Sequence, residues 1–87
     1  MLMCMGLMAC AGAPVQEMSN ARQAIKAARD AGAANVAPQQ LSEAQALLDQ
    51  AEDNLERRAY RHARRDALAA RGKAAEALDA ARPSDRS

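Results

Sequence analysis

Apolar residues recur along this chain at alternating steps of three and four, the spacing that returns side chains to one face of an α-helix. The first stripe runs through Met18, Ala21, Ile25 and Ala28. It begins just after Pro14 and stops near Gly32, a residue suited to the left-handed conformation that closes a helix. The second stripe carries Leu41, Ala44, Leu48, Ala51 and Leu55, with Leu47 widening it. Pro38 stands in its first turn, where a missing N–H costs no hydrogen bond. The third carries Tyr60, Ala63, Ala67, Ala70, Ala74, Ala77 and Ala81, with Leu68 and Leu78 beside the seam. It ends ahead of Pro83, because the residue before a proline is pushed out of helical angles. Residues 32–37 read as a short connection of a length that suits antiparallel neighbours.

Continuing the second stripe in strict heptads would put Arg58, His62, Arg65 and Glu76 in the core, so its phase must change between Leu55 and Tyr60. A turn near residues 57–59 is the simplest way to change it. The pattern therefore predicts an all-α unit of three helices with Ala-rich heptad seams, the second and third paired as an antiparallel hairpin. A single long helix from Pro38 to Arg82 is the alternative, since Leu55, Ala59, Ala63 and Ala67 also form a usable stripe and no Gly or Pro forces the break.

Composition makes this core a thin one. The chain has 87 residues, 24 of them alanine, and its hydrophobic share of 49% includes a single aromatic residue, Tyr60. Such a length allows one small domain and excludes a multi-domain enzyme. Alanine seams let helices approach closely but bury little area per residue, so the isolated chain should be marginally stable. Gly72, inside the third helix, costs about 1 kcal/mol relative to Ala.

Charge adds an address. Twelve Lys and Arg oppose eleven Asp and Glu, a balance that argues against a general nucleic-acid or acidic-surface binder. Residues 1–16 carry no charge, and the first basic residue is Arg22. The apolar run at residues 1–9 is too short to cross a bilayer as a helix, which takes about 20 residues, but it suits the apolar region of a signal peptide. It ends in Leu7-Met8-Ala9-Cys10, which resembles the bacterial lipobox. That resemblance implies acylation of the Cys10 thiol and cleavage that makes Cys10 the new N-terminus. Ala11 stands where inner-membrane lipoproteins often carry Asp, so the implied destination is the outer membrane, facing the periplasm. No Lys or Arg precedes the apolar run, and four of the first eight residues are Met, so an upstream start is expected. The chain then divides into a signal remnant at 1–9, a lipidated tether at 10–13, a helical domain at 14–82 and a frayed tail at 83–87. The rival is an apolar tail on a cytosolic helical protein. Two cysteines with one histidine make no zinc site, and neither a metal nor a cofactor is expected.

Several short pieces carry a family likeness by their order and spacing: Pro14-Val15-Gln16-Glu17-Met18, Ala31-Gly32-Ala33, Ala37-Pro38 followed by Leu41 and Ala44, and Ala59-Tyr60-Arg61-His62-Ala63-Arg64 before a ladder of alanines. From Pro14 to Ala81 the chain resembles the bacterial family called domain of unknown function 4398. Two positions depart from that family: Ala59 stands where an acidic residue is frequent, and Val36 where an aromatic is. The resemblance implies a small helical envelope lipoprotein, in some members joined to a peptidoglycan-binding module, and it supplies no catalytic positions. A helical hairpin with Tyr-x-x-Ala also resembles a tetratricopeptide unit, but that solenoid needs about three repeats to bury its face.

The most charged stretch holds Arg57, Arg58, Arg61, Arg64 and Arg65, with His62 among them. As an anion site it would take phosphate of lipid A, a wall polymer or nucleic acid. Without an aromatic stacking platform, nucleic acid is the poorest of these. The plainer expectation is a solvated face whose charge is answered across the hairpin by Glu43, Asp49, Glu52, Asp53 and Glu56. His62 is the sole histidine and reads as a surface residue, while Tyr60 reads as the cap of the hairpin core. Glu52 and Asp53 lie on different helix faces and do not form an acid–base pair. The sequence thus points to a non-enzymatic, lipid-anchored helical module held to the membrane through Cys10. Its expected partners are an envelope or peptidoglycan-associated protein or a second copy of itself. An anion-binding module and a soluble, self-associating coiled coil are the rivals.

Overall fold

The computed structural model describes residues 12–82, and among them every regular element is helical. Helix α1 spans Val15–Asp30, α2 Ala33–Val36, α3 Pro38–Glu56 and α4 Tyr60–Ala81. The three long helices form an up-down-up bundle, with α3 antiparallel to α1 and α4. Side-chain contacts fix that direction: Arg22 meets Glu52 and Arg29 meets Gln45, while Glu17 at the start of α1 meets Arg64 near the start of α4. The most extensive interfaces are those of α4 with α3 and with α1.

The stripes read from the sequence are the buried faces. Met18, Ala21, Ile25 and Ala28 of α1, Leu41, Ala44, Leu48 and Ala51 of α3, and Ala63, Ala67, Ala70, Ala74 and Ala77 of α4 are buried, and no polar or charged residue among the described ones is. Leu47, Leu55 and Leu78 pack half-buried against this core. Alanine along α4 is what allows one helix to lie close to two neighbours at once. Three larger apolar residues stand outside it, Val15, Val36 and Leu68 being 65%, 58% and 49% exposed. Val15 and Val36 fall at helix ends, and Leu68 faces away from the alanine seam.

Both connections are built on a left-handed residue. Gly32, at φ 91°, donates its N–H to the Arg29 carbonyl at 2.9 Å and closes α1. The connection after it is not the plain loop expected for residues 32–37, because Ala33–Val36 winds one more helical turn and buries Ala33 and Ala37. Pro38 then opens α3 at its first position.

The turn expected near residues 57–59 is present, and the single long helix is not. Ala59 donates its N–H to the Asn54 carbonyl at 2.8 Å, and Arg58 donates to the Leu55 carbonyl at 3.0 Å. This is the paired hydrogen bonding of a Schellman closure, which satisfies two of the last carbonyls of α3. It needs a left-handed residue, and here that residue is Arg58, at φ 62°. An L-residue is strained in that region by roughly 1–2 kcal/mol.

Candidate functional site

Helix directions bring the start of α1, the end of α3 and the start of α4 to one end of the bundle. This tip holds the whole basic stretch and also receives the chain from its N-terminal side. Arg64 makes the join: its Nε donates to Glu17 Oε2 at 3.3 Å and its Nη2 donates to the Gly12 carbonyl at 3.3 Å. Both side chains of the ion pair are about one-third exposed, 33% and 29%. The Arg64 guanidinium therefore clasps the residues just ahead of α1 against α4.

The arginine stretch separates into two groups. Arg57 pairs with Asp53 one turn back on α3, its Nε 3.3 Å from Oδ2, and Arg64 is taken up by the clasp. Arg58, Arg61 and Arg65 are exposed and form no ion pair among the described residues, and His62 is exposed beside them. Helical geometry explains this division. Arg61 and Arg65 lie on the side of α4 opposite Ala63, Ala67 and Ala70, so the packing that buries the alanines turns these two outward. Glu56, in the last turn of α3, and Asp66, beside Arg65, make no ion pair among the described residues.

The acids of α3 do not answer the arginine stretch as the sequence led us to expect. Only Asp53 does so, through Arg57. Glu52 pairs with Arg22 of α1 at 3.1 Å, and Glu43 with Lys73 of α4 at 3.2 Å. Asp49 accepts from Gln45, which in turn accepts from Arg29 of α1. Asp66 accepts from Asn54 at 2.8 Å, joining α3 to α4 just inside the turn. Sequence reading missed Arg22, Arg29 and Lys73 as partners because their roles depend on which flank of α3 each neighbour covers. The alternating apolar stripe left that open. Lys73 also lies 3.9 Å from Glu76, and its ammonium is held above its usual 10.5, first by the hydrogen bond to Glu43 and then by the charges of Glu43 and Glu76.

Tyr60 is half-buried at the start of α4, beside the turn. Among the described residues no group of three or more His, Cys, Asp and Glu is placed to hold a metal ion. No described helix is long and apolar enough to cross a membrane. The apolar run at 1–9 expected to be a signal segment, the expected acylation site Cys10 and the tail at 83–87 lie outside the described residues. No family model, curated protein or solved structure matches this chain.

Proposed function

We propose that this chain is a non-enzymatic helical module anchored to the bacterial outer membrane by acyl chains on Cys10, acting as a structural or interaction element of the periplasm. The family likeness to domain of unknown function 4398 points the same way and belongs to the same proposal. One observation carries it: Cys10, which ends the lipobox-like Leu7-Met8-Ala9-Cys10, lies two residues before Gly12, whose carbonyl Arg64 grips at the tip of the bundle. An anchor at Cys10 would therefore have almost no slack. The bundle would stand on the membrane by one end, with α4 reaching about 33 Å away from it at 1.5 Å per residue. Each buried CH₂ of an acyl chain contributes about 0.8 kcal/mol, and more than one chain gives stable anchoring. The far end and the helix flanks are then free to meet an envelope or peptidoglycan-associated partner, or a second copy.

Metabolic labelling with palmitate tests the proposal. Label should enter the protein expressed from its native locus and be absent from the Cys10→Ser variant. Equal labelling of both, or none in either, would refute it.

A further inference from the structure

The exposed arginines at the tip are not accounted for by the fold. Arg58, Arg61 and Arg65 have no ion-pair partner among the described residues, and against them stand the exposed Glu56 and the half-buried Asp66, whose own bond is to the neutral Asn54, which leaves the apex with a net charge of about +1. Their position is costly as well. Arg58 sits at a strained φ of 62°, and Arg61 lies in the first turn of α4, where the helix dipole disfavours a cation and no side chain caps the exposed N–H groups. The same tip is where Arg64 holds Gly12, so the chain approaches the bundle beside the three free guanidinium groups.

We propose that this arginine tip is a docking surface for the phosphate layer of an anionic membrane, and that it orients the bundle end-on against the lipid headgroups. Charge complementarity supplies the attraction, and the Arg64–Gly12 clasp supplies the placement. The orientation rests on the anchoring of Cys10, whereas the binding itself does not: free phosphate-bearing lipid should attract the tip whether or not the chain is acylated. An acyl anchor with an adjacent basic surface makes a two-signal attachment, in which each net basic charge near an anionic leaflet strengthens partitioning about fivefold.

The test uses the full chain as Cys10→Ser, which cannot be acylated, with vesicles of phosphatidylethanolamine alone or mixed with phosphatidylglycerol. Any apolar contribution of residues 1–9 is common to both vesicles, so the anionic-to-neutral partition ratio reads the tip. Replacing Arg58, Arg61 and Arg65 with Gln is expected to lower that ratio by on the order of a hundredfold. Replacing all three with Lys keeps the charge and should leave the ratio within about threefold. An Arg29→Gln, Arg82→Gln control removes two charges at the other end of the bundle, each about 18 Å or more along its helix from the tip and so beyond a Debye length of about 10 Å, and should also change it by less than about threefold. Raising the salt should erase the ratio in the parent chain. A ratio unmoved by the Gln triple, or lost in the Lys triple, would overturn the proposal. An equal fall in the distal control, or binding to duplex DNA as tight as to anionic vesicles, would overturn it too. Palmitate labelling reads the anchor separately, so failure of one idea leaves the other standing.

Discussion

Substituting Arg58 with glycine and with alanine asks whether the backbone really turns between α3 and α4. At φ 62° Arg58 occupies a region that costs an L-residue roughly 1–2 kcal/mol and glycine almost nothing. Glycine gives back about 0.5–1 kcal/mol through the greater freedom of its unfolded chain. Arg58→Gly should therefore exceed Arg58→Ala in stability by about 0.5–1 kcal/mol. Both variants remove the same guanidinium, so any effect of charge at the tip cancels in the comparison. A single helix running from Pro38 to Arg82 predicts the reverse, because glycine in a helix interior is about 1 kcal/mol worse than alanine. The two architectures thus differ in sign, with a gap of roughly 1.5–2 kcal/mol between them. Thermal melts followed by circular dichroism at one protein concentration would read it, since 1 kcal/mol moves the midpoint of a domain this size by about 4–8 °C. A glycine variant that melts below the alanine variant would refute the turn and, with it, the gathering of arginines at one tip.

Three further predictions follow from packing and charge. Gly72→Ala should add about 1 kcal/mol of stability by chemical denaturation, because a Cβ built at Gly72 meets nothing within 4 Å and the position is mid-helix. Ile25→Ala, at a side chain only 2% exposed, should cost 2–5 kcal/mol in the same assay, whereas Leu68→Ala should stay within about 0.5 kcal/mol despite removing the same kind of apolar bulk. Lys73 has a folded pKa raised above its unfolded value, so its contribution is fully present below pH 10.5 and disappears as pH rises through the folded value. Stability compared with Lys73→Met should therefore converge on the variant in strongly alkaline solution, and a difference that grows there would contradict the assignment.

Much of the bundle was legible in the sequence because alanine makes its periodicity unusually plain. The three-four alternation of Met18, Ala21, Ile25 and Ala28, and of Ala63, Ala67, Ala70, Ala74 and Ala77, marks faces that the structure buries in full. The break at residues 57–59 was legible for a subtler reason: carrying the α3 stripe through it would have buried charge. What could not be read was how the break is made, since Arg58 is no turn former and gives no local sign of a positive φ. The short α2 was equally hidden, as four residues are too few to show a period. The basic stretch was found as a set of residues, but its division was not. Whether an arginine is clasped, as Arg64 is, or free, as Arg61 is, depends on α1 lying along one flank of α4, and α1 carries no mark of that choice.

An intact mass of the protein, expressed from its native locus with the upstream DNA included and extracted from separated membrane and soluble fractions, tests the central proposal most directly. A membrane species that starts at Cys10 and exceeds its peptide mass by acyl chains is the expected result. A soluble species that retains Met1 and an unmodified Cys10 would contradict it and bring the self-associating coiled coil to the front.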